Sequence, residues 1–398
     1  MQVIEWGQLA RVNFKVPFCA EICFKLGMPN SSHPSLSQHL QQLPDPRLHR
    51  RRRHSLHDIL VIAITSQLCG AEHFTDMADF GRAKNDWFKT FLELPHGIPS
   101  HDTFRRVFLR LDPQAFLDCF LRWTQALRAA IPGELVALDG KTLRRSLAAG
   151  QSPIHLVSAW AAQNRLVLGQ IKVDEKSNEI TAVPELLRAL ELSGCIVTLD
   201  AMGCQKNIAK EIREADADYV LALKGNQGTL HDEVKSFLDD AVARQEKHLC
   251  TTTTVDKDHG RIETRRYWIT EQIGWLADRS EWEGLRSVGV VEGRRWGNGV
   301  VTVQRRYYLS SLPADAATFA RAVRGHWGVE NQLHWVLDVA LNEDQNRVRT
   351  GHAAQNLAAL RKLALNLLRQ DTQLQRGIRG KQKNAGWDHR YLLSLLKL

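Results

Sequence analysis

Residues 133–142, Gly-Glu-Leu-Val-Ala-Leu-Asp-Gly-Lys-Thr, and residues 195–200, Cys-Ile-Val-Thr-Leu-Asp, share one design. In each, a short apolar run suited to a buried strand ends on an aspartate, Asp139 or Asp200, and small residues follow. Ligands gather beyond the carboxyl ends of strands in α/β sheets, so the two aspartates are candidates for a single site. Either one taken singly also reads as a turn residue or the N-cap of the next helix.

Working outward, the patterns predict strands at 134–138, 154–160 and 165–173, a helix at 181–192, a strand at 195–199, a helix at 205–215 and a strand at 219–223. Strands alternating with helices imply parallel pairing and an α/β fold. Residues 251–309 turn β-rich, with strands expected at 261–270, 285–291 and 299–309 around a Gly-Asn-Gly turn at 297–299. This reads as β structure inserted into the α/β domain.

Before the sheet, residues 55–130 carry apolar positions at helical spacing, with stops near Gly70, Pro95 and Pro113. Within them Ser100 can cap a helix that turns Phe104, Val107, Phe108 and Leu111 inward and Arg105, Arg106 and Arg110 outward. Such a helix reads DNA in some proteins and is simply amphipathic in many more. Helical signals return at Ala314 and run to the end, broken near Gly351 and over 375–387. The expected organisation is an N-terminal extension over 1–35, a helical DNA-binding or associated domain over 36–132, a catalytic domain over 133–345 with its β-rich insertion at about 250–310, and a basic helical C-terminal tail over 346–398.

Charge points to the partner. The formal net charge of +9 is matched by residues 345–398 alone, which hold eleven Lys or Arg against two Asp. Arg47 and Arg50 to Arg53 form a second concentration, flanked by His49 and His54, that suits either a phosphate backbone or a solvated linker. Clustered cations favour a polyanion. Seven cysteines without a CxxC pair argue against a disulfide framework and a thiolate zinc site, and no apolar run approaches a membrane span. Residues 1–30 lack the pattern of a secretory signal, so a cytoplasmic setting is expected.

A third carboxylate stands in HWGVENQLHWVLDVALNED, residues 326–344, where His326, Glu330, His334 and Asp338 recur every four residues along one helical face. A zinc-protease HExxH spacing is absent. Three carboxylates brought together repel one another unless a cation neutralises them, and oxygen donors suit Mg²⁺ or Mn²⁺. Two such ions about 3.5–4 Å apart activate a water or sugar hydroxyl and stabilise the departing oxygen of a phosphodiester.

Five motifs, LVALDGKTLRRS, TLDAMGCQ, YVLALKGNQ, HGRIETRRYW and HWGVENQLHWVLDV, occur in this order, and over residues 36–368 the chain resembles bacterial insertion-sequence transposases related to the H-repeat-associated proteins. The resemblance implies a DDE transposase with an RNase H-like catalytic core, and it assigns Asp139, Asp200 and Glu330 as catalytic metal ligands. It also implies double-stranded DNA as partner (the element's terminal inverted repeats and a target), a homodimer on DNA, and a place at the bacterial nucleoid. The β-rich stretch is similar to an insertion that supports DNA-hairpin intermediates in related enzymes, where Trp268, Trp275, Trp282 or Trp296 would stack on a base or simply fill a core. The broader group's Tyr, Arg and Lys helper positions fall here on Val323, His326 and Leu337. Lys141, Lys224, His326 and Asn331 are the expected DNA contacts beside the carboxylates. The rival readings are a metal-dependent nuclease without strand transfer and a non-catalytic DNA-binding protein of transposase descent.

Overall fold

Two helices buried on every face set the architecture. In the computed structural model, which describes residues 35–146, 152–174, 178–258, 261–297 and 300–396, the helix Leu56–Leu68 buries every residue but His57. The helix Ala353–Gln370 buries every residue from 353 to 368 except Gln355. A helix buried on every face belongs inside a protein, and these two pack against each other.

The N-terminal part supplies α1 (Leu36–Gln41), α2 (Leu56–Leu68), α3 (Phe74–Ala83), α4 (Asn85–Phe88), α5 (His101–Arg110) and α6 (Pro113–Leu127). The expected stops hold for physical reasons. Gly70 takes φ +92, the left-handed conformation that closes α2, and Pro113 opens α6 in its first turn behind the Asp112 cap. Ser100 caps α5 by accepting from the Thr103 N–H, and Phe104, Val107 and Phe108 are buried while Arg105, Arg106 and Arg110 are exposed.

One nine-stranded mixed sheet follows, built from β1 (Leu135–Thr142), β2 (His155–Ala161), β3 (Leu166–Val173), β4 (Ile196–Leu199), β5 (Asp218–Leu223), β6 (Cys250–Asp258), β7 (Arg261–Thr270), β8 (Ser287–Gly297) and β9 (Val300–Ser310). Its spatial order is β3-β2-β1-β4-β5-β9-β8-β7-β6. β1, β4 and β5 run parallel, and the other pairs are antiparallel. The crossover helices are α7 (Glu179–Ala189) and α8 (Lys206–Glu214), and α9 (Gly228–Ala243) leads into β6.

The β-rich stretch therefore does not stand apart as a subdomain with its own sheet. β9 hydrogen-bonds to β5 from Val220↔Ser310 to Leu223↔Tyr307, which carries the sheet directly outward. Of the Gly-Asn-Gly turn expected at 297–299, residues 298 and 299 lie outside the described residues.

The C-terminal region closes the fold with α10 (Ala316–His326), a π-helical segment (Val329–His334), α11 (Trp335–Leu341), α12 (Ala353–Gln370), α13 (Ile378–Trp387) and α14 (His389–Leu396). The expectation of a basic tail is corrected only for α12, which lies between the N-terminal helices and β3 and buries Arg361 and Lys362, whereas Arg376, Arg379, Lys383 and Arg390 beyond it are exposed. Net charge counts cations without showing which have buried partners. The Arg47 cluster is corrected in part for the same reason: Arg47 is buried on Asp45 (2.8 Å), whereas Arg50 and Arg53 are exposed. Among the described residues no helix is long and apolar enough to cross a membrane.

The sheet edge at β3 is covered by a side chain. Asn366 of α12 accepts from the Val167 N–H at 2.8 Å and donates to the Val167 carbonyl at 2.9 Å, occupying the place of a neighbouring strand. Asn366→Ala leaves both buried backbone groups unpaired, and urea unfolding should show a loss of about 2–3 kcal/mol. A loss under about 0.5 kcal/mol would mean that water replaces the amide.

Candidate functional site

Three chain segments far apart in sequence deliver Asp139, Asp200 and Glu330 to the wall of one cavity of about 440 Å³. Asp200 stands immediately after β4, as its pattern predicts, and its Oδ1 accepts from the backbone N–H groups of Met202 (3.0 Å) and Gly203 (3.3 Å). That turn fixes the carboxylate before any ligand arrives.

Asp139 departs from its expected place at a strand end. β1 continues to Thr142 because β2 stays paired with it past Asp139↔Ser158, down to Thr142↔His155. On the other side β4 pairs only as far as Ala137↔Thr198, so Asp139 projects where β1 has outrun its parallel neighbour. The sheet opens there, and the side chain meets the cavity.

Glu330 lies in the π-helical turn Val329–His334. One extra residue in a turn re-aims the side chains around it, and such turns recur at functional sites. The polar stripe of the sequence does face the sheet: His326 Nδ1 is 3.0 Å from Thr198 Oγ1, His334 Nδ1 is 3.4 Å from Asp139 Oδ2, and Asp338 pairs with Lys141. Burial pushes His334 down to about 3 and also lowers His326, so both imidazoles are neutral near pH 7 and act as hydrogen-bonding groups.

The neighbouring carboxylates act on Asp139. Burial together with the charges of Asp200, Glu179 and Glu330 pushes Asp139 up to about 7. Among the described residues no three His, Cys, Asp or Glu side chains form a closed ligand group, so the three acids share a cavity without making a complete cage. Carboxylate oxygens that share a cavity in this way suit a hard cation such as Mg²⁺ or Mn²⁺, which takes few protein carboxylates and fills the rest of its shell with water and phosphate oxygens.

Of the expected DNA contacts, Lys224 is exposed at the rim of this cavity and His326 lines it. Asn331 is exposed but borders a different cavity on the other flank of the helix. Lys141 is not open to DNA: its Nζ pairs with Asp338, with Glu343 at 3.0 Å and with Asp344 at 3.7 Å. Strand alternation puts Lys141 on the same face as Asp139, so it ties that face of β1 to α11.

None of the four tryptophans of the β-rich stretch lines this cavity. Trp282 is buried in the core, and Trp275, 39% exposed, rests on Phe237 at 4.6 Å. The aromatic groups that do line it are Trp327, Tyr307 and Tyr308, joined by Arg306, whose guanidinium lies 4.9 Å from the Trp327 ring centre. Sequence reasoning misses all four. They sit in an ordinary strand and a helix end, and only the β5–β9 pairing brings them beside Asp200.

Two family models match the chain: a DDE transposase-associated region over residues 37–124 and a transposase DDE domain over residues 132–367. The chain is 39% identical to "Putative transposase YncI" of Escherichia coli O157:H7 over 368 residues, which is 91% of this chain and 94% of that protein. It is likewise 39% identical over 371 residues to "H repeat-associated putative transposase YhhI" of Escherichia coli K12, covering 91% of this chain and 97% of the relative. An uncharacterized protein encoded in the dhlA 3′ region of Xanthobacter autotrophicus is 46% identical over 288 residues, 71% of this chain and 96% of its own length. With one model spanning most of the sheet and its covering helices and with relatives matched nearly end to end, the chain belongs to the DDE-domain transposases, in the group that includes the H-repeat-associated proteins.

Proposed function

We propose that the protein is a DNA transposase that binds the ends of its element, cleaves them and joins the freed 3′-hydroxyls to target DNA, with Asp139, Asp200 and Glu330 as the catalytic carboxylates. The observation that carries this reading is their convergence on one cavity, where burial and the charges of the other two raise Asp139. The five strands β3-β2-β1-β4-β5, three antiparallel and then two parallel, support an RNase H-like core over residues 133–345. On this reading residues 36–132 form an associated DNA-contacting region, residues 346–398 the C-terminal closure, and two copies act on two element ends at the nucleoid.

Divalent ions held by the three carboxylates would supply the Lewis acidity that activates a water or 3′-hydroxyl and stabilises the leaving oxygen. This chain's own groups do the rest. Asp200 is pre-set by two backbone N–H groups, Asp139 is flanked by the neutral His334, and Lys224 at the rim meets a phosphate. His326, held at Thr198 through Nδ1, lines the same cavity.

The test is incubation of the purified protein with a labelled duplex carrying the element ends, with Mg²⁺ or Mn²⁺ and with a chelator. Cleaved and joined products that vanish on chelation are expected. Cleavage without joining would make the protein a nuclease, and binding without chemistry in either metal would leave a non-catalytic DNA-binding protein.

A further inference from the structure

The helix that carries Glu330 has a second flank. While Glu330 borders the carboxylate cavity, its neighbour Asn331 and the residues Gln332, Trp335 and Val339 border another cavity, of about 700 Å³, on the far side. Its opposite wall comes from Arg165 and from residues 369–381 of the C-terminal region.

The charge of this cleft is one-sided. Arg165, Arg369, Arg376, Arg379 and Lys381 line it, against the single acid Asp371, which is already held by Lys381 (3.2 Å) and by the Tyr391 hydroxyl (2.7 Å). Among the described residues none of the four arginines has a carboxylate within ion-pair distance. Arg165, Arg376 and Arg379 are exposed, and Arg379 donates to the Val339 carbonyl.

Arg369 makes the case stronger. Its guanidinium lies 4.4 Å from the Trp160 ring centre, its Nη1 is buried without a hydrogen-bond partner, and burial beside Arg165 pushes it down to about 9. The side chain is half-buried and its Nη2 donates to the Gln332 carbonyl, which leaves Nη1 and the uncompensated positive charge for an anion in the cleft. Trp335, 60% exposed, adds a large apolar ring at the same cleft.

Several cations spread along a cleft, interleaved with amides and one exposed ring, match a sugar–phosphate backbone better than a single small anion, which calls for donors converging on a point. We propose that this cleft is a second DNA site, gripping the backbone through Arg165, Arg376 and Arg379 on the flank of the helix opposite the carboxylates. The inference rests on the DNA-processing reading above and extends it, since one DNA engaged at Glu330 would be held from both sides of that helix.

The test measures fluorescence anisotropy of a labelled mixed-sequence duplex across a NaCl series, for the full chain and three double variants. Arg376→Gln/Arg379→Gln should weaken binding about tenfold or more and make the plot of log affinity against log salt shallower by about 1.8, at about 0.9 per lost phosphate contact. Arg376→Lys/Arg379→Lys keeps both charges and should restore the slope. Lys210→Gln/Arg244→Gln removes the same charge from α8 and the end of α9, away from the cleft, and should bind as the unmodified chain does. If the unmodified chain binds and the Arg376→Gln/Arg379→Gln variant matches it in affinity and slope, the cleft is overturned while the transposase reading stands. An equal loss in the α8/α9 control, or no rescue by lysine, also overturns the cleft. If the unmodified chain binds no duplex at all, the reading of function fails and the cleft with it.

Discussion

Asp139→Asn, Asp200→Asn and Glu330→Gln should each cut metal-dependent strand cleavage at least about a thousand-fold, a loss of about 4 kcal/mol of transition-state stabilisation, while duplex binding persists. The amides keep shape and remove charge, so what they test is the carboxylate and not the packing. In Asp200→Asn the side-chain amide retains an oxygen to accept from Met202 and Gly203, and the turn should survive. Stability should move the other way. In the absence of metal, Asp139 is raised from 3.8 to about 7, so the fold holds its proton more tightly than the unfolded chain does. The stability gained from that proton is complete below about pH 3.8 and is lost as pH climbs towards about 7. Above that, ionised Asp139 is a liability, and Asp139→Asn should melt at or above the temperature of the unmodified protein. Catalytic groups behave this way, because an arrangement suited to holding a cation is strained without one. Single-turnover cleavage and thermal melting measured on the same samples would check both halves, and full cleavage by any one variant would remove that residue from the catalytic set.

The sheet and its carboxylates differ in how far the sequence discloses them. β2, β3, β4 and β5 fall within two residues of their patterns because buried runs bounded by turn residues have few other readings. β1 reads too short, since Gly140 and Lys141 look like a turn, and only the antiparallel partner β2 keeps them extended. β6 escapes because Thr251 to Thr254 and the charged residues after them carry no apolar face. Their pairing is decided across the ladder, as where Asp256 meets Arg265. α9 escapes because Gln227 offers no side-chain cap and a glycine opens the helix.

The stripe of His326, Glu330, His334 and Asp338 is legible as a face, but its partners are not. Helical spacing shows which side chains stand together. Only the parallel register of β1 against β4, and the π turn between α10 and α11, decide that they meet Thr198, the cavity, Asp139 and Lys141 in that order. Asn331 shows the same limit: adjacent to Glu330 in sequence, it belongs to the other flank.

Lys141→Met should lower stability by about 3–5 kcal/mol, the usual cost of leaving one member of a buried ion pair behind. The side chain of Glu343 is fully buried and that of Lys141 is 11% exposed, so water cannot replace the lost ammonium. Burial works against the Glu343 charge, and Lys362, Lys141 and Arg361 together hold its carboxyl below the usual range. Lys362 is itself pushed down to about 8 by burial and spends its ammonium on Gln170 at 2.6 Å, so it compensates only in part. In Lys141→Met/Glu343→Gln the buried Lys362 and Arg361 lose their shared carboxylate as well, so the double variant should recover little of the loss. The double-mutant cycle by urea unfolding separates the pair from simple packing. A Lys141→Met variant within about 1 kcal/mol of the unmodified chain would show that Lys362 and Arg361 suffice for Glu343. The expected outcome has a consequence for the site as well. Lys141 shares a strand face with Asp139 and clamps it to the helix that follows Glu330, so this buried network fixes the spacing of the two carboxylates, and cleavage by folded Lys141→Met should fall even where the three proposed catalytic carboxylates are intact.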